Sequence, residues 1–410
     1  MAAASRSPAA SPSTELELFN EDQYDDILLR LPPHRPKLLV RFALVSPAWR
    51  RILADPGFLR RYLDYHNLAP MMGYINNGGE GGDILATFVP TATTNPFRPL
   101  VPENGVDLIA LDSRHGRVLF QKIRDEDSTL IVWDPVADCH DEVLLPEAAP
   151  FNDSNFTAAV LCDAPGCNHR TCHGGPFRVV VLHIDSDWTT SAFLYASASH
   201  TWSPSPAAAA ALVIVDDAEP FEMATGSLLV GSNLFFFTPW GILEYQFGAM
   251  GEHLQYIDMP DMPEELIGND DGWQAVLMPM GDEWIGFAAM HPDGNGGTRV
   301  QLWEATVGAG GVGHWVDNAN IPVRGDGLRL VGAAGRCLLF CTKEDALTSL
   351  DVGTGRFRDL PMPESGAIAD IVPFVSFHTP APCQASDGDD AKDKASSSAS
   401  TLRTGHGLQR

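Results

Sequence analysis

Apolar positions along the chain follow two different periods, and the change falls near Leu68. Before it, apolar residues recur at helical spacing. Tyr24, Ile27, Leu28 and Leu31 share one helical face, and Pro32-Pro33 ends the run because proline has no N–H and clashes with the preceding turn. A second set, Leu38, Leu39, Phe42 and Val45, begins after Pro36. Ser46-Pro47 reads as an N-cap and first-turn pair for a third helix carrying Trp49, Ile52 and Leu53. Asp55-Pro56 repeats the start signal, and Phe58, Leu59, Tyr62 and Leu63 continue the helical spacing. Three to four helices this short bury little by themselves. Their apolar faces exceed what the unit covers internally, so a partner or a neighbouring domain must complete the core.

After Leu68 short apolar runs take over, separated by Gly, Pro, Asp and Asn. A repeat is visible. A glycine precedes a strand-like run at Gly116, Gly175, Gly231, Gly281 and Gly335, with gaps of 59, 56, 50 and 54 residues. Each run is followed by a loop and a second run: Leu130–Trp133, Phe193–Tyr195, Leu243–Tyr245, Gln301–Trp303 and Thr348–Leu350. In three copies a ring lies seven residues beyond the second run's end: Trp133 to His140, Tyr195 to Trp202, Leu350 to Phe357. Elsewhere Gly-rich insertions stretch the spacing, as in 307–313 before Trp315. A period of about fifty residues with several strands per unit predicts propeller blades, since a lone four-stranded sheet has two apolar faces to hide and stacking round an axis hides both. Five copies span 105–363, and 71–74 and 84–89 with the terminal run 368–377 predict a sixth blade shared between the two ends. The Tyr-to-Trp spacing is similar to a kelch repeat, although the usual Gly-Gly doublet is missing from most copies.

Charge separates the same two regions. The chain's 410 residues carry a formal net charge of -26. The first seventy are close to neutral, so nearly all the negative charge lies beyond them. That argues against nucleic acid or an anionic membrane as a partner. No apolar stretch reaches spanning length, and residues 1–14, rich in Ala, Ser and Pro, lack a secretory h-region. Seven cysteines, an odd number in a long chain, argue against a disulfide scaffold and for a reducing compartment, cytoplasm and/or nucleus.

The run Asp26-Ile27-Leu28-Leu29-Arg30-Leu31-Pro32, then Leu39, Ala43, Val45, Trp49-Arg50 and Asp55-Pro56-x-Phe58-Leu59-Arg60-Arg61, resembles the F-box, in particular the form found in grasses. Phe19-Asn20 stands where F-boxes usually open with Leu-Pro, and Ser46-Pro47-Ala48 fills the stretch that usually carries a Cys. The resemblance implies a Skp-type adaptor as partner, and through it cullin and RING subunits. It also implies a target protein, of unknown identity, held by the propeller. It places Ile27, Leu28, Leu31, Pro32, Leu39, Val45, Trp49 and Phe58 at or supporting the adaptor interface, without dividing contact residues from those of the module's own core. The expected fold is a small all-α F-box of three to four short helices followed by an all-β propeller of six kelch-like blades. The expected boundaries are a disordered N-terminus over 1–14, the F-box over 15–66, the propeller over 67–378 and a disordered tail over 379–410.

Catalytic signatures are absent: the sequence has no Gly-x-Ser-x-Gly elbow, phosphate-binding Gly loop or His-Glu-x-x-His. No enzyme activity, cofactor or metal is assigned. One constellation stands out, Cys162-x4-Cys167-x-His169-x2-Cys172-His173. Its soft ligands suit zinc, but the spacing is not that of a standard finger, and a plain inter-strand loop is the favoured reading. Asn269-Asp270-Asp271-Gly272 and Asp293-x-Asn295-Gly296 lack the full ligand ladder of a calcium loop and read as turns. The expected function is substrate receptor of an SCF-type ubiquitin ligase. The alternatives are a propeller enzyme or lectin-like small-ligand binder, and an F-box scaffold acting outside degradation.

Overall fold

The structure, a computed structural model, describes most of 21–377. Outside the described residues lie 1–20 and 378–410, and the internal stretches 67–68, 79–85, 92–106, 124–127, 147–155, 168, 171, 173, 186–188, 206–209, 212–225, 239–240, 248–251, 263–273, 293–296, 309, 324–326, 344–345, 364–367 and 369. The expected N-terminal and C-terminal disordered segments and both calcium-like turns fall there.

Four helices come first: α1 (Glu21–Leu29), α2 (Pro36–Val45), α3 (Pro47–Leu53) and α4 (Pro56–His66). Their starts follow the sequence signals. Ser46 Oγ accepts from the Ala48 N–H at 3.2 Å, and Asp55 Oδ2 accepts from the Phe58 N–H at 2.8 Å. Each cap satisfies a backbone donor that the first turn leaves open. Helix α1 stops at Leu29, so Leu31 lies in the following turn instead of on the helix. Its carbonyl accepts from the Tyr62 hydroxyl at 2.9 Å. Among the described residues no helix is long and apolar enough to cross a membrane.

Among the described residues the strands form six sheets. Strands β1 (Met71–Asn76) and β2 (Thr87–Pro90) open the chain's β region. Blade 1 holds β3 (Asp107–Arg114), β4 (Arg117–Ile123), β5 (Thr129–Asp134) and β6 (Cys139–Leu144). Blade 2 holds β7 (Phe156–Cys162), β8 (Phe177–Ile184), β9 (Thr189–Ala196), β10 (Thr201–Pro204) and the short β11 (Ala210–Ala211). Blade 3 holds β12 (Ser227–Val230), β13 (Asn233–Thr238), β14 (Gly241–Gln246) and β15 (His253–Ile257). Blade 4 holds β16 (Ala275–Gly281), β17 (Trp284–Pro292), β18 (Thr298–Gly308), the short β19 (Gly311–Val312) and β20 (Val316–Val323). Blade 5 holds β21 (Arg329–Ala334), β22 (Cys337–Cys341), β23 (Leu347–Asp351) and β24 (Arg356–Asp359). The last strand, β25 (Ile371–Val375), pairs with β1 in the order β2-β1-β25, which makes blade 6 from both ends of the chain. This is a six-bladed propeller closed by its terminal strands, as the repeat predicts.

Six hydrophobic clusters seal the ring, each shared by two neighbouring blades. Leu119, Leu130 and Val132 of blade 1 meet Val160 and Val179 of blade 2. Val118 and Phe120 meet Met72 and Phe374 across the junction with blade 6. Adjacent residues of β4 thus serve opposite neighbours because strand side chains alternate faces. Strand β22 repeats the division: Leu338 and Phe340 pack toward blade 4, Leu339 and Cys341 toward blade 6. Both faces of a blade are buried, which explains the continuous apolar runs of the second strands.

The seven-residue aromatic spacing has a direct cause. Trp133 and His140, Tyr195 and Trp202, and Leu350 and Phe357 are cross-strand partners in hairpins joined by four-residue loops. The last loop residue is left-handed in all three: Asp138, His200 and Gly355. Aspartates brace two of these loops, Asp134 accepting from Val136 and Ala137, and Asp351 from Gly353 and Thr354. Trp202 Nε1 also donates to the Leu144 carbonyl of blade 1 at 2.7 Å, and Trp315 Nε1, just before β20, to the Asp258 carbonyl beyond blade 3 at 2.9 Å. These two tryptophans therefore tie blade 2 to blade 1 and blade 4 to the end of blade 3.

Polar side chains provide matching ties along the first strands. Asn77 brackets Ala110, accepting from its N–H at 2.8 Å and donating to its carbonyl at 2.9 Å. Asp112 Oδ2 accepts from the Val160 N–H at 3.0 Å, and Gln274 Oε1 from the Leu330 N–H at 2.8 Å. In each case a side chain from one blade satisfies the backbone of the next, which an unpaired first strand would otherwise leave open.

Candidate functional site

Two regions carry candidate function: the surface of the helical module, and the Cys/His loop between β7 and β8.

The module's core is made by Leu28, Leu39, Phe58 and Tyr62, with Leu29, Leu31, Phe42, Trp49, Ile52 and Leu53 packed around it. Trp49 sits between two rings, 4.9 Å from Phe42 and 5.8 Å from Tyr24. Of the eight residues that the F-box resemblance singles out, Leu28, Leu39 and Phe58 are therefore interior, and direct contact with a partner is closed to them in this conformation. Leu31, Pro32 and Trp49 are half-buried. Ile27 and Val45 are exposed, and α2 adds Leu44 and Val40. Leu44 and Val45 are each 71% exposed, which is unusual for adjacent aliphatic residues on an ordered helix. The pattern of α2 explains it. Leu39 turns one side of the helix into the core, and Val40 and Leu44, four residues apart, form a stripe on another. Sequence alone left that division open, and missed Val40 and Leu44 altogether.

In the second region, the structure brings together four of the five residues flagged in the sequence. The donor atoms of Cys162, Cys167, His169 and Cys172 all lie within 4.8 Å of one another. His173 lies outside the described residues. Cys167 Sγ and Cys172 Sγ are 3.3 Å apart, and His169 Nδ1 is 3.7 Å from Cys172 Sγ. Cys162 ends β7, and the chain turns through left-handed Gly166 and His169 so that the other three donors fold back beside it. The six described cysteines are free thiols.

The hairpin of blade 1 supplies the floor of the cluster. Its two-residue loop, His115-Gly116, has positive φ at both positions, the type I′ geometry that matches strand twist. His115 stacks on His169 with ring centroids 4.3 Å apart, and its Nδ1 accepts from the Cys162 N–H at 3.0 Å. Burial, with help from Arg114, His169 and Arg117, pulls His115 down to about 3, so its imidazole is neutral, as the accepting Nδ1 requires. Arg117 is buried, donates to the Gly175 carbonyl at 2.6 Å and lies over the Phe177 ring. Burial pushes the Cys172 thiol up. Burial also acts on Cys167, but there the His169 N–H, the neighbouring thiols and Arg117 outweigh it, and its pKa lies below the ordinary value. Neither His115 nor Arg117 was legible as part of this site. They come from another blade, and only the hairpin turn signal at Gly116 marks the place.

The loop also meets the helical module. Arg170, between the ligand-type residues, forms an ion pair with Asp64 of α4 at 2.5 Å. The pair is half-exposed and contributes at most about 1 kcal/mol by itself.

No family model matches the chain, and no curated protein matches it. Among solved structures it is similar to AztD of Citrobacter koseri, with 14% identity and a TM-score of 0.31 over 74% of this chain and 81% of that one. It is also similar to the SapL1 lectin in complex with alpha methyl fucoside, with 14% identity and a TM-score of 0.35 over 72% of this chain and 98% of that one. A puromycin-hydrolyzing peptidase of Mycobacterium tuberculosis gives 12% identity and a TM-score of 0.32 over 63% of this chain and 39% of the peptidase. At this degree of likeness, the chemistry of those proteins carries no argument about this one.

Proposed function

We propose that the chain is the substrate receptor of an SCF-type ubiquitin ligase, its helical module acting as an F-box that docks a Skp-type adaptor while the propeller holds a target protein. The observation that carries this reading is the bare aliphatic stripe of α2, Val40 and Leu44 with Val45 beside it, on a module whose own core is complete without it. Exposed aliphatic residues concentrated on one short helix favour a partner surface over a solvent surface. The segment order of the F-box resemblance supports the choice of partner. In this reading the chain performs no bond chemistry. It raises the rate of ubiquitin transfer by holding a target lysine near the charged conjugating enzyme.

Co-purification of the full chain with a Skp-type adaptor tests the proposal. Wild type should elute with the adaptor, and a Leu44→Asp, Val45→Asp variant should elute alone with unchanged circular dichroism. These exposed positions give a cleaner test than Leu28, whose substitution would also empty the module's core. A folded wild-type chain that never captures the adaptor overturns the ligase reading.

A further inference from the structure

We propose that Cys162, Cys167, His169 and Cys172 bind one Zn2+ ion in a tetrahedral Cys3His site that fixes the loop between β7 and β8. This inference is independent of the ligase reading.

The donor set and its spacing in space carry the proposal. Tetrahedral zinc with Zn–S of about 2.3 Å and Zn–N of about 2.0 Å places its donors about 3.5–3.8 Å apart. The Cys167–Cys172 and Cys172–His169 separations, 3.3 and 3.7 Å, lie close to those edges, and every remaining donor pair is within 4.8 Å. Closing the tetrahedron needs movements of about 1 Å or less. The sequence spacing differs from a standard finger because the ligands do not lie on a zinc knuckle. One comes from a strand end, and the others from the loop that folds back against it.

The surroundings suit thiolate ligands. The His169 N–H points to Cys167 Sγ at 3.4 Å, and the Ala164 N–H to Cys162 Sγ at 3.5 Å. Such donors orient the sulfurs and stabilise their charge. Three thiolates, one neutral imidazole and Zn2+ sum to a single negative charge, with each thiol losing its proton on binding. Arg117 lies buried beside the site, so its cation offsets that charge, and among the described residues its Nη1 has no hydrogen-bond partner. His169 and His115 both hold left-handed backbone, an arrangement that non-glycine residues keep chiefly where the surroundings require it. Here the stacked rings aim His169 at the sulfurs. The mechanical consequence follows from Arg170. With the loop pinned on both sides of it, the Asp64 ion pair becomes a fixed strut between blade 2 and α4.

The competing chemistry is a Cys167–Cys172 disulfide, which would use two thiols and leave Cys162 and His169 idle. The full chain, produced with zinc in the medium and purified without chelator, distinguishes the two. Elemental analysis should give one zinc per chain for wild type and for Cys139→Ser, an exposed cysteine outside the cluster. Zinc should fall to near zero in Cys172→Ser. Because Cys172 is buried and its substitution also disturbs packing, His169→Ala provides a second arm. This solvent-facing change should leave the fold intact while letting a chromophoric chelator strip the metal at least about tenfold faster. Cobalt exchanged for zinc should show the intense thiolate charge-transfer and visible bands of a tetrahedral site. Wild type that is folded but metal-free under these conditions, or an intact-mass and peptide map showing the 167–172 disulfide, overturns the proposal.

Discussion

Four buried side chains, Leu28, Leu39, Phe58 and Tyr62, make the core of the helical module, whereas the propeller distributes its core over six clusters, each shared by two blades. In the propeller every blade has a neighbour on both faces, because β25 closes the ring against β1. Most apolar residues on either face of a strand are therefore buried internally, and exposed ones such as Leu144, Val316 and Phe357 lie singly on the outer strands. The helical module has no such closure. Once Leu39 and Phe42 are turned inward, no element of the module covers Val40, Leu44 and Val45, and these face solvent. Closure by repetition leaves a surface shaped by loops. A short open bundle leaves an apolar stripe, the surface on which the proposed docking function rests.

The largest expected effect tests whether the ring behaves as one unit. Phe374, fully buried in blade 6, packs near Phe88 and shares a cluster with blade 1. Phe374→Ala should destabilise the propeller by about 3–5 kcal/mol. Hydrogen exchange should show protection falling in all blades together. Loss confined to blades 1 and 6 would mean that the ring is a string of separable sheets.

Leu28→Ala should cost about 2–5 kcal/mol, but only within the module. Exchange should accelerate across 36–66 while the amides of β4 and β22 keep their protection. If the propeller loosens equally, the two regions form one cooperative body, and the contrast drawn above fails.

A smaller effect is expected where blades are tied by polar groups. Asp112 accepts from the Val160 N–H and from Ser227 Oγ, joining three blades. Asp112→Ala leaves buried donors unpaired and should lower stability by about 1–3 kcal/mol. Denaturant midpoints measure it, and an unchanged midpoint would show that water replaces the carboxylate.

The smallest effect is expected at the α2 stripe. Leu44→Asp with Val45→Asp should change stability by no more than about 0.5 kcal/mol, since both side chains are already in water. A large loss would show that these residues support the module, and would remove the case for a docking surface.

Much of this was legible before folding. Ser46-Pro47 and Asp55-Pro56 start α3 and α4 through local hydrogen bonds that need no tertiary context. The blade repeat was readable because alternation and turn chemistry are also local. The seven-residue aromatic interval is simply a hairpin register. Even the sixth blade followed, since an open ring would leave the first and last blades with bare faces.

What the sequence determined by itself, then, is the kind and order of elements, because helix caps, hairpin turns and strand alternation act over a few residues. Tertiary structure alone decided which side chains share a neighbourhood across long separations. It turned Leu39 inward and Leu44 outward on one helix, through the way α2 packs on its neighbours. It also brought His115 and Arg117 of blade 1 beneath the cysteines of blade 2 and gathered Cys162, Cys167, His169 and Cys172 within 4.8 Å. That proximity depends on a loop folding back on a strand end and on two blades stacking, neither of which any spacing along the chain encodes.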